Sequence, residues 1–177
     1  MMKIRPALIA AMVLVVLFWA LAIWQQNYEF LFYAGVMLVL VFILHKTDKV
    51  FQYRNLALWG FTTWLLLHLL GGFASINGVK LYDFMLLDMI GDPYNILKYD
   101  QVVHIYCYVV FGMLVSSVVE NIATHDANHW VLGVVAVLAA AGVGSLNEII
   151  EFATVVMFES TGVGGYTNTA LDFCANI

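Results

Sequence analysis

The chain has 177 residues, of which 63% are hydrophobic and 11% charged, and its mean hydropathy is +0.90. A soluble domain is nearer a quarter charged, so these proportions exclude one and define an integral membrane protein in contact with the lipid bilayer. The formal net charge of −5 leaves no basic stripe to neutralise phosphates and excludes a nucleic-acid partner.

Met1 to Pro6 is short and basic, with Lys3 and Arg5. Ala7 to Trp24 is an unbroken apolar run of the length that crosses a bilayer, roughly 17–25 residues. A secretory signal peptide is the competing reading. Bulky Trp19, Ile23 and Trp24 stand where a cleavage site needs small residues, so the run reads as a retained first helix with Pro6 near its first turn. Phe30 to Leu44 reads as a second, rather short helix, followed by a basic loop, His45-Lys46-Thr47-Asp48-Lys49 and then Arg54. Leu56 to Phe73 reads as a third helix, ending in His68-Leu69-Leu70-Gly71-Gly72.

Ala74 to Asp100 mixes Leu81, Phe84, Met85, Leu86, Leu87, Met89 and Ile90 with acidic residues. That pattern suggests an amphipathic piece at the membrane interface or a packed lid over the bundle. Val102 to Val119 is the fourth helix, and Glu120 to His129 a polar loop. The fifth begins at Trp130 and continues to about Phe158. At 1.5 Å per residue it is on the order of 43 Å long, so it must tilt, break near Gly142-Val143-Gly144 or project from the membrane. Glu159 to Thr169 has loop composition. Ala170 to Ile177 reads as the start of a sixth helix, in which the chain stops. Cys107 and Cys174 have no metal-pair spacing, and Cys107 reads as a small buried hydrophobe, so no disulfide is expected.

The fold class expected is an all-α polytopic transmembrane helix bundle: five spans plus that C-terminal segment, as a single domain over 1–177. Lys3, Arg5, Lys46, Lys49 and Arg54 fall on one side, which the positive-inside rule makes cytoplasmic. The N-terminus is then inside, and positions such as Asp88 and Gly162 are outside.

Ionisable residues cluster within residues 55–177, and at one depth. His68 is near the outer end of the third helix, Asp100 and His104 at the outer start of the fourth, Glu148 and Glu151 near the outer end of the fifth, and Asp172 and Asn176 on the returning segment. By helical rise, His68 stands about 18 Å above Leu56 and Glu148 about 27 Å above Trp130. Glu148 and Glu151 are spaced i,i+3, and Asp100 and His104 i,i+4, so each pair shares a helix face. Charged groups inside a span are costly and are functional candidates by default. Two imidazoles and several carboxylates form a ligand set for a divalent metal such as Zn, Mn or Fe. The candidate ligands are His68, His104, Glu148 and Glu151. The candidate catalytic or orienting carboxylates are Glu148, Glu151, Asp100 and Asp172. Structural roles compete: His68 as a hydrogen-bonded bundle histidine, Gly71 and Gly72 as points of close helix approach, and Asp100 and Asp172 as helix caps.

The motifs Tyr99-Asp100-Gln101-Val102-Val103-His104, Asn147-Glu148-Ile149-Ile150-Glu151 and Asp172-Phe173-Cys174-Ala175-Asn176, together with His68-x-x-Gly71-Gly72, resemble the YjdF-like family of bacterial inner-membrane proteins. The last three of these elements, in chain order, also resemble VanZ-like proteins more distantly, with Glu151 in place of that family's usual Gln. The first resemblance implies a multi-pass fold in the bacterial inner membrane. The second, through the association of VanZ-like proteins with teicoplanin resistance, implies a cell-envelope or lipid-linked substrate. The resulting expectation is a metal-dependent hydrolase with an outward-facing pocket. The alternatives are a protein that binds or transports a cation, proton or lipid, and a membrane scaffold. Oligomeric state is left open.

Overall fold

A computed structural model describes residues 4–91, 94–124, 126–157 and 165–176. Five of its helices are long and apolar enough to cross a membrane: α1 (Pro6–Trp24), α2 (Tyr28–Phe51), α3 (Asn55–Phe73), α4 (Tyr99–Ile122) and α5 (His129–Met157). The sixth, α6 (Tyr166–Ala175), has 10 residues and reaches only about 15 Å. The all-α membrane bundle expected from the sequence is the architecture observed.

Helix α1 packs on α2 and α3, α3 on α4, and α4 on both α5 and α6. Lipid tails are as apolar as leucine, so association rests on close van der Waals packing, which small residues permit. Ala11 and Ala57 are fully buried. A Cβ added to Gly60 would lie 3.0 Å from Val110, and one on Gly72 would overlap the ring of Phe30. Phe30, Phe61, Leu65, Leu69 and Val110, each 0% exposed, form the dry centre. Helix α5 buries a single stripe, Ala136, Ala140, Gly144, Glu148, Glu151 and Thr154, and turns its other faces outward.

One expectation is corrected, and three alternatives are narrowed. Helix α2 does not stop at Leu44 but continues through His45–Lys49 to Phe51. Backbone hydrogen bonding does not need apolar side chains, and these turns are held by Thr47, bonded to Ile43 O at 2.7 Å and to the Tyr53 hydroxyl at 3.0 Å. Helix α5 runs through Gly142-Val143-Gly144 without a break. The segment after α3, expected as an amphipathic interfacial piece or a packed lid, forms no α-helix among its described residues before α4. It opens with a hairpin of β1 (Ser75–Ile76) and β2 (Val79–Lys80), turning through Asn77 and Gly78 at φ +53° and +82°. Asn-Gly at two positive φ values is the preferred type I′ connection. A 3-10 turn, Leu81–Asp83, then tucks Tyr82 against α3 and α4, while Leu86, Leu87, Met89 and Ile90 stay exposed. Lastly, Asp100 does not cap α4. The side chain of Gln101 does, accepting from the backbone N–H groups of Leu97 (2.6 Å) and Lys98 (3.1 Å).

Of the loop expected over Glu159–Thr169, residues 159–164 lie outside the described residues, as do Lys3, Phe158 and Ile177; Tyr166–Thr169 is the first turn of α6. Both cysteines are free, Cys107 buried and Cys174 exposed.

Candidate metal centre

Antiparallel succession brings the start of α4 and the end of α5 to one end of the bundle, and α6 packs against both. Asp100 and His104 sit in the first turns of α4, and Glu148 and Glu151 lie one turn apart on the buried stripe of α5. Asn168, Asp172 and Asn176 recur every fourth residue along α6, which aligns them on one face. Asp100 and His104 are 6% and 2% exposed, Glu148 and Glu151 0% and 4%, and Asp172 and Asn176 0% and 1%. A Cβ on Gly144 would stand 2.9 Å from that of Asn176, so the bare glycine is what admits α6 to this depth.

His104 is the hub. Its Nδ1 lies 3.0 Å from Glu148 Oε1, and its Nε2 lies 3.4 Å from Asp100 Oδ1 and 3.8 Å from Glu151 Oε1. Three asparagines hold the carboxylates from outside. Asn176 Nδ2 donates to Glu148 Oε1 (2.6 Å), Asn147 Nδ2 to Glu151 Oε1 (2.7 Å), and Asn168 Nδ2 to both Asp100 Oδ2 (3.0 Å) and Asp172 Oδ2 (2.5 Å). The complementary atoms, Glu148 Oε2, Asp172 Oδ1, Asn176 Oδ1 and His104 Nε2, are buried without a hydrogen-bond partner. One donor atom each from His104, Glu148, Glu151 and Asp172 falls within 4.8 Å of all the others. Ligand bonds of about 2.0–2.2 Å place donors at most about 4.4 Å apart across an ion, so a small side-chain rotation closes the set.

The charge balance of this cluster is one-sided. Among the described residues, the lysine and arginine ion pairs go to Asp48, Glu120 and Asp83, none to the four clustered carboxylates. Two like charges about 4 Å apart repel by roughly 4 kcal/mol at an effective dielectric near 20. A neutral imidazole has one donor and one acceptor nitrogen, yet both nitrogens of His104 face carboxylate oxygens. The ring is doubly protonated, or a neighbouring carboxyl carries a shared proton, or a cation takes the place of one proton.

His68 is placed differently. It is 3% exposed, and its ring stands 5.5–5.7 Å from the rings of Tyr33, Trp64 and Tyr82. It is not among the four converging donors. The Tyr82 hydroxyl donates to His68 O at 2.6 Å, and Tyr99 to Leu67 O at 2.9 Å, which ties the end of α3 to the outer segment and to α4. Burial, with Asp100 and Glu151 adding to it, raises the Tyr82 phenol well above its ordinary pKa and keeps it a donor. Tyr33 meets the Thr154 hydroxyl at 2.6 Å, and that hydroxyl donates to Glu151 O at 2.7 Å, so α2 braces α5 behind the carboxylates. Sequence reasoning passed over Asn147, Asn168, Tyr33 and Thr154. The two asparagines carried a usable signal, each being four residues before a carboxylate on the same helix; the tyrosine and threonine carried none.

No curated protein and no solved structure matches the chain. The family described as Predicted membrane protein (DUF2238), to which the YjdF-like proteins belong, matches residues 6–177. The chain, with its five apolar spans and its buried His/Glu/Asp group, therefore belongs to the DUF2238 family of predicted membrane proteins.

Proposed function

We propose that the protein is a metal-dependent membrane hydrolase acting on a lipid-linked or cell-envelope substrate at the outer leaflet of a bacterial inner membrane. The observation that carries this reading is the set of four buried carboxylates around His104, two of which, Glu148 and Asp172, keep a buried oxygen without a hydrogen-bond partner. Zn, Mn or Fe suits a nitrogen and oxygen donor set without cysteine. His104, Glu148, Glu151 and Asp172 are the ligands. Asp100 fixes the orientation of the His104 ring, and Asn147, Asn168 and Asn176 fix those of the carboxylates, as outer groups around a metal do. A bound divalent ion supplies Lewis acidity toward a phosphoryl or carbonyl oxygen and lowers the pKa of water. Asp100, the cluster carboxylate outside that donor set, would accept the proton of the attacking water. His68 and its aromatic neighbours keep bulk water from the inner side.

The acidic end is outward on this reading, because Arg5, Lys46, Lys49 and Arg54 collect at the other, where Arg5 bonds Tyr53 O and Asn55 Oδ1. Cation transport would need a polar path through the inner half. There Thr62 bonds Ala7 O and Leu58 O, and Ser116 and Ser117 both bond Met113 O, so these hydroxyls are occupied by backbone. The distant VanZ resemblance supports an envelope substrate.

Elemental analysis of protein purified mildly in detergent tests the centre: one divalent metal per chain is expected, and a content far below that removes the reading. Labelling of single cysteines from outside the cell should reach position 88 and not position 46; the reverse pattern would turn the site toward the cytoplasm.

A further inference from the structure

Two apolar clefts flank α5 near the carboxylates, and they differ in the polar residue of α5 that lines each. One, of about 330 Å³, runs between α5 and α6 and is walled by Ile149, Phe152, Tyr166, Ala170 and Phe173, with Glu148 in its lining. The other, of about 270 Å³, lies across α5 among α2, α3 and α4 and reaches Asn147. Asn147 spends its amide on Glu151. Glu148 keeps an unpartnered Oε2 while 0% exposed to water. The first cleft thus has in its lining a dry carboxylate with an unpartnered oxygen, and the second a satisfied amide.

We propose that the α5–α6 groove holds the hydrocarbon chain of a membrane lipid, seating its polar junction against Glu148. This names the substrate class of the hydrolase and rests on that reading for its chemistry, though not for the binding itself. The groove opens on faces that the helices turn outward, where Ile149 is 59%, Phe152 47% and Tyr166 84% exposed. In a bilayer those faces meet lipid, so a chain enters sideways without crossing water. The occupant is a chain and not another helix, because a helix is about 10–12 Å across with its side chains. A volume of 330 Å³ is at the small end of ligand pockets, about 300–1,000 Å³. Among the described residues, the polar side chains in the lining besides Glu148 are Thr169, directed to Gly165 O, and the Tyr166 phenol. The walls therefore select length and flexibility in an apolar chain and leave recognition of the head to the carboxylate end.

The test uses the full chain in phosphatidylcholine vesicles containing a small fraction of phosphatidylglycerol with a diazirine on one acyl chain. After illumination, adducts are mapped by mass spectrometry and metal content is measured on the same sample. Adducts on Ile149, Phe152, Ala170 and Phe173 should exceed several-fold those on Val13 and Val16 of α1, which are 53% and 55% exposed and serve as the ordinary lipid-facing reference. Ala170→Trp should remove the groove adducts and leave those on α1 unchanged; Thr169→Phe provides the same blockade where the first variant fails to fold. Val36→Trp, which fills the other cleft, should change neither. Equal adduct density on the groove and on α1, or groove adducts indifferent to both blocking variants, overturns the proposal. Groove labelling on protein that binds no metal sinks the hydrolase and leaves the lipid site standing, whereas a metal-loaded protein without groove labelling does the opposite.

Discussion

The two ends of the bundle handle buried charge in opposite ways. At the basic end two acids have a cationic side chain beside them: Arg5 Nη1 is 3.6 Å from Asp48, and Arg54 makes two 3.1 Å bonds to Glu120. These pairs are wholly or partly open to solvent, with Arg54 and Glu120 66% and 52% exposed, and such pairs are worth little. At the other end four carboxylates crowd one imidazole, all nearly dry, and among the described residues their donors besides His104 are amides. A buried charge without its counter-charge is destabilising. The basic end pairs its arginines with acids of the chain, whereas among the described residues the clustered carboxylates of the acidic end have no lysine or arginine partner. On the proposed reading, that asymmetry marks a binding site rather than polar groups that merely lock helices together.

The sharpest way to break the comparison is at His104. His104→Ala should weaken metal binding by about 100-fold or more, since even outer groups around a metal are worth 10–100-fold. Chelation of the native protein should lower its Tm, and added metal should restore it, as ligand linkage requires. A variant that keeps full metal content would make the acidic end a scaffold. Next in size is Gly144→Ala, which sets a methyl against Asn176. It should cost about 1–3 kcal/mol by overpacking and reduce metal affinity by displacing α6, whereas Gly133→Ala, with open space around it, should do neither. Asn168→Ala should lower metal affinity about 10-fold through Asp100 and Asp172, at the low end for such outer groups, with little change in Tm. At the opposite end, Arg54→Ala should shift stability by less than about 1 kcal/mol and leave metal content untouched. A metal loss there equal to that of Asn168→Ala would erase the distinction between the ends.

Much of this arrangement could be read from linear spacing. Long apolar runs specify spans because an unpaired backbone group in lipid is too costly for anything but a helix or a closed barrel. Alternation of short loops then puts the end of α3, the start of α4 and the end of α5 on one side, which is why the shared depth of His68, Asp100, His104, Glu148 and Glu151 was visible before any coordinates. Hydropathy failed where helices outlast their apolar residues, as α2 does beyond Leu44. It also failed at Asn77-Gly78, where a turn preference decides the outer segment.

What the sequence by itself determined is therefore the membrane class, the five spans and the end of the bundle where the acids gather, because these follow from local backbone and solvation rules acting along the chain. What only the tertiary structure decided is which of those residues meet. Periodicity orients a side chain around its own helix axis but says nothing of how one helix is rotated against the next. His104 turns toward Glu148 and Asp100, while His68, at the same depth, turns into Tyr33, Trp64 and Tyr82. The rotation and approach are set by packing at distant points, by Gly60 under Val110, Gly72 against Phe30 and Gly144 beneath Asn176, contacts that no spacing rule encodes.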